Sequence, residues 1–95
     1  MTPEEIAKGL SAAQRRYLRA CGDSKEPYTP RHGVTANWAL RHDYAEMRWS
    51  IDGVEMSGEQ MAAQGYPAHA KALGCRLTDL GRAILEAQND RHDDV

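Results

Sequence analysis

Five arginines carry the clearest chemistry in this chain: Arg15, Arg16 and Arg19 in LSAAQRRYLRA, and Arg41 and Arg48 in VTANWALRHDYAEMRW. A guanidinium stays charged at any physiological pH, and its planar fork of donors matches phosphate and carboxylate oxygens. Arg16 and Arg19 are three apart, so on a helix they are surface neighbours. Arg41 and Arg48 are seven apart, which on one helix puts them on the same side. The five are expected to bind anions, either the phosphates of a nucleic acid or the carboxylates of a protein partner.

Covalent chemistry has much less support. Glu4 and Glu5 sit at a helix start and Asp93 and Asp94 in a C-terminal tail, neither of them a setting for paired acid and base work. No Ser or Cys has a His nearby in sequence, and Gly53, Gly58 and Gly65 punctuate turns rather than form a phosphate loop. The four His (32, 42, 69 and 92) are scattered, and Cys21 and Cys75 lie 54 positions apart, without the close spacing of a zinc site. Both cysteines are expected to be unbridged, as small buried hydrophobes. The chain is therefore expected to be no enzyme and to use no metal, cofactor or small-molecule substrate.

Ninety-five residues fit one domain, here residues 1–88, followed by an acidic frayed tail at 89–95. Hydrophobic residues make up 41% and charged residues 27%, ordinary for a globular domain, and with no Phe the two Trp and four Tyr must supply the large aromatics. No apolar run could span a bilayer. MTPEEIAKGL has acids where a signal peptide needs bases, so the expected location is the cytoplasm, away from membranes. Net charge is −2, but residues 1–85 carry eleven basic and ten acidic groups, a body at +1. That body lacks the marked basic excess of a strong nucleic-acid binder.

The elements follow from caps and periods. Thr2, Pro3 and Glu5 open a short helix that stops near Gly9, and a second capping box, Ser11 with Gln14, opens a helix over Ser11–Cys21 closed by Gly22. On it Ala13, Tyr17, Leu18 and Cys21 share a face. Residues 22–33, GDSKEPYTPRHG, read as a connector. In VTANWALRHDYAEMRW, Ala36, Leu40, Tyr44 and Met47 form a helical stripe, opposite Asn37, Arg41, Asp43, Glu46 and Arg48. WSIDGVEM changes period: Asp52-Gly53 predicts a type I′ hairpin with Trp49, Ile51, Val54 and Met56 on one face. Ser57 with Gln60 opens a helix to about Gln64, and Pro67 opens a second, AHAKAL, ended by Gly74, which together outline a helix-turn-helix. Cys75-Arg76-Leu77 is short enough for a third strand, and Thr78 caps a last helix with Leu80, Ala83, Ile84 and Ala87 as its stripe. The expected class is α+β, mainly helical.

MTPEEI, the helix residues Leu10-Ser11-Ala13-Gln14-Arg15, and the close Leu77-Thr78-Leu80-Gly81 resemble the ends of small phage and prophage proteins with a winged-helix-like fold. The resemblance covers about a third of the chain, and the L-T-x-x-G close also resembles the segment that follows the wing in bacterial winged-helix regulators. It implies a winged-helix-like domain of phage type, and through it a nucleic-acid-binding, transcription-regulatory role. The alternative is a protein-binding inhibitor of a host defence complex, similar to an anti-CRISPR, for which small size and mixed-sign faces suit equally well.

Overall fold

Three capping boxes set the starts of three helices in the computed structural model, which describes residues 1–29 and 33–93. In each box the hydroxyl of Thr2, Ser11 or Ser57 accepts the N–H of the residue three further on. The side chain there, Glu5, Gln14 or Gln60, accepts the cap's own N–H in return. The helices are α1 (Pro3–Lys8), α2 (Ala12–Asp23) and, later in the chain, α4 (Gly58–Ala63). Gly22 does not end α2 as expected. It lies within the helix, where a Cβ would run into Leu85 Cδ2 and come within 3.2 Å of Leu77 Cδ1.

Helix α3 (Gly33–Arg41) is shorter than the sequence predicts. Asp43 adopts a left-handed φ of 61°, the Asp43 N–H donates to the Leu40 carbonyl, and the Tyr44 N–H donates to the Ala39 carbonyl at 2.8 Å. That is a Schellman closure with Asp in the position usually held by Gly. Beyond it the chain turns into strand β1 (Ala45–Ile51), so the expected helix is wrong beyond Arg41 and Arg48 stands on a strand. The stripe misled because Ala45, Met47, Trp49 and Ile51 also alternate with period two. Strand pairing on both sides of β1 outweighs local helical preference.

β1 is the centre of an antiparallel sheet ordered β2-β1-β3, with β2 at Val54–Ser57 and β3 at Lys71–Leu77. The hairpin forms as expected: Asp52 and Gly53 have φ of 53° and 82°, and the register pairs Ile51 with Val54 and Trp49 with Met56. Ile51 and Met56 are buried, but Val54, at the turn, is 60% exposed rather than packed. Where a helix over AHAKAL was expected, β3 runs instead, so no helix-turn-helix forms after α4. The Ala-rich segment is helical by propensity, but it completes the ladder on β1 from Lys71↔Ser50 to Leu77↔Ala45, with a register shift beside Arg48 and Trp49.

The connector is partly anchored. Tyr28 exchanges both backbone hydrogen bonds with Cys75, at 2.8 and 2.9 Å, and extends the sheet by one bridge beyond β3. Gly74, at φ 125°, lets this segment approach, since a Cβ there would lie 2.8 Å from the Tyr28 carbonyl oxygen. The connector's residues 30–32 lie outside the described residues.

Helix α5 (Asp79–Asp93) closes the fold. It runs on through most of the expected tail, of which Asp94 and Val95 lie outside the described residues. Its buried side is Ile84, Leu85, Ala87 and Gln88, whereas Leu80, expected in the stripe, is 40% exposed. The main core joins Tyr17, Leu18 and Cys21 of α2 with Ala36, Ala39, Ala45, Cys75, Leu77 and this side of α5. A second, smaller core places Ile51, Met56 and Met61 under α4. The chain is thus a small α+β fold, about half helical. No helix among the described residues is long and apolar enough to cross a membrane.

Candidate functional site

Burial of Tyr17, Leu18 and Cys21 fixes the rotation of α2, and with it the direction of its arginines. Arg15, Arg16 and Arg19 are exposed, on the side away from the core. In α3, Ala36 and Ala39 turn inward, leaving Val34, Asn37 and Arg41 exposed. Val34, Asn37, Leu40 and Arg41 line a shallow depression on this helix. Among the side chains of residues 1–29 and 33–89, none of these four arginines has a carboxylate within ion-pair distance.

Arg48 does not join them. From β1 its Nε donates to Glu55 Oε2 at 2.7 Å and one terminal nitrogen donates to Glu46 Oε1 at 2.9 Å. Arg76 of β3 reaches the same Glu55 with two donors, at 2.7 and 2.9 Å, and also donates to the Lys25 carbonyl. The Arg76 guanidinium first, and that of Arg48 with it, hold the Glu55 carboxyl down at about 2. The result is a cross-strand charge network on the polar side of the sheet, with Arg48 only 19% exposed. Cross-strand adjacency created it: the Asp52-Gly53 hairpin sets Ser50 opposite Glu55, but no spacing within one segment of sequence reports that Glu46 faces Arg76.

The acidic C-terminal segment is also less remote from the arginines than a free tail would be. Gln88 is buried and its Nε2 donates to the Arg15 carbonyl at 3.4 Å, which sets the C-terminal part of α5 against the first turn of α2.

The two cysteines share the main core. Cys21 Sγ donates to the Cys75 carbonyl at 3.4 Å, and both thiols crowd the buried Tyr17 hydroxyl, which has no hydrogen-bond partner among the described residues. Burial first, and the neighbouring Cys75, push the Cys21 thiol up to about 11. A thiol that stays protonated inside a core is a packing group rather than a nucleophile. Among the described residues, no three His, Cys, Asp or Glu side chains converge as metal ligands.

One cluster went unread in the sequence. Trp38, His42 and Tyr44 meet at the end of α3, with Trp38 edge-on to Tyr44 at 5.2 Å and His42 stacked on Tyr44 at 5.4 Å and 16°. The signal was present in part, since Trp38 and His42 are four apart on the helix. Tyr44 joins them only through the left-handed turn at Asp43. Set against known protein families, curated proteins and solved structures, the chain matches none of them.

Proposed function

We propose that this chain is a small nucleic-acid-binding protein of the phage winged-helix type, in which Arg15, Arg16, Arg19 and Arg41 contact phosphates. The observation that carries the reading is their shared state: all four are exposed, and none is paired to a carboxylate among the side chains of residues 1–29 and 33–89. Asn37, four residues before Arg41 on α3 and exposed with it, adds a side chain that matches the edge of adenine. The winged-helix part is supported by order along the chain: α3 leads into the antiparallel β1–β3 pair, and Leu77-Thr78-Leu80-Gly81 follows that pair directly. The fold departs from a helix-turn-helix in having α3 alone between the Tyr28 bridge and β1.

The test is binding to duplex DNA across a salt series. Four neutralised phosphates imply a log–log slope of about −3.6, hence a loss of about 150-fold in affinity between 50 and 200 mM salt. Replacing the four arginines with Ala should flatten the slope, while Arg48→Ala should leave it unchanged because Arg48 is committed to Glu46 and Glu55. A chain that binds no nucleic acid at low salt, but is captured by a host protein complex, would replace this reading with the inhibitor.

A further inference from the structure

Arg41 is next in sequence to His42, whose ring has one face on Tyr44 and is otherwise exposed. The support beneath that ring is fixed. Tyr44 is buried, its N–H donates to the Ala39 carbonyl, and its carbonyl accepts the Thr78 N–H at 3.1 Å. Trp38 is half-buried against the main core and braces Tyr44 edge-on, with its own ring 6.2 Å from that of His42. A flat ring at the surface on a rigid aromatic base offers a contact for a planar group, and the exposed guanidinium one residue earlier, on the neighbouring side of α3 with Asn37, offers a partner for an anion.

We propose that the end of α3 is a stacking shelf for one unpaired nucleobase, with His42 as the shelf and Arg41 taking the adjacent phosphate. The inference rests on the nucleic-acid reading and narrows it to a ligand containing single-stranded nucleotides. Bases inside a duplex are already stacked on each other and offer no free face, whereas single-stranded ligands are held by aromatic stacking beside a positively charged track. The aromatic cluster needs no base-specific contact, so the shelf is tolerant of sequence.

The 95-residue chain is titrated into a fluorescein-labelled thymidine oligonucleotide and, separately, a labelled duplex, with anisotropy as the readout. His42→Leu should weaken the single-strand complex about 5- to 150-fold, the range expected for losing one stacked base, and leave duplex affinity within twofold. His42→Phe, which keeps a ring, should restore most of the single-strand affinity. Circular dichroism of both variants reports the fold separately. Equal affinities for wild type, His42→Leu and His42→Phe on the single strand overturn the shelf, as does a His42→Leu loss that His42→Phe does not recover. Binding to duplex but not to single strand overturns the shelf and leaves the broader reading standing. Binding to neither overturns both.

Discussion

Gly81→Ala should be among the most damaging single-methyl changes in this protein. Gly81 is buried in the first turn of α5, and a Cβ there would overlap the Tyr44 carbonyl oxygen and come within 2.8 Å of its carbon and 3.2 Å of its Cα. The obstacle is backbone, and that backbone is held from two directions. Thr78 donates its N–H to the Tyr44 carbonyl and its hydroxyl to the Asp43 carbonyl, while its Oγ1 accepts the Gly81 N–H at 3.1 Å as the cap of α5. Relieving the overlap therefore means moving the start of α5 away from the 43–44 link and losing those bonds.

The magnitude follows from three contributions. Overpacking costs about 1–3 kcal/mol, the two strained hydrogen bonds about 1 kcal/mol each, and the helical preference for Ala over Gly returns about 1 kcal/mol. The net is a destabilisation of about 2–4 kcal/mol, a large share of the roughly 5–14 kcal/mol available to a chain of this size. Urea and thermal unfolding followed by circular dichroism measure it. Gly58→Ala, the same substitution in the first turn of α4 with nothing within 4 Å of the new Cβ, is the control and should be neutral or slightly stabilising. A Gly81→Ala protein within about 0.5 kcal/mol of wild type would refute the idea that the close approach of Tyr44 requires glycine here.

Two further outcomes are expected. Asp43→Gly should stabilise by about 0.5–1 kcal/mol in urea unfolding, because removing the left-handed strain outweighs the extra freedom of glycine in the unfolded chain, and both bonds to Asp43 use its backbone. Glu55, held at about 2 against an ordinary 4.5, gives a pH dependence of known sign. A depressed acid favours the folded state above its unfolded pKa, so this stabilisation is complete above pH 4.5 and is lost as pH falls towards 2. Urea midpoints should fall over that window in wild type, and in Glu55→Gln this component should be missing; equal slopes in the two proteins would contradict the network.

Local signals were legible wherever one short segment contained its own reason. The capping boxes at Thr2, Ser11 and Ser57 and the Asp52-Gly53 turn are such cases, since each is a contact between residues at most three or four apart. What sequence reading missed was decided at a distance. β1 and β3 displaced two predicted helices because their partners lie some 20 to 30 positions away. Gly22 reads as a helix end in sequence because its neighbour Leu85 is 63 positions away. The site divides the same way: exposure of Arg15, Arg16 and Arg19 followed from the stripe of α2, whereas Arg48 was lost to Glu55 through strand pairing.

The segment GCRLTDLGRAILEA holds the fold together whatever the protein binds. Leu77 fills the main core, Thr78 ties the start of α5 to the end of α3, and Gly81 admits the Tyr44 carbonyl between them. The motif is a clamp on the 43–44 link. That link also seats Tyr44 beneath His42 and ends α3 at Arg41, so the clamp and the exposed aromatic cluster share one stretch of backbone. Closing the fold and presenting the end of α3 are then a single structural event. A chain loosened at Gly81 should lose the ordered His42–Tyr44 stack first, because Tyr44 is the residue that Gly81 abuts, whereas α2 keeps its own capping box at Ser11 and meets α5 further along, at Leu85 and Gln88.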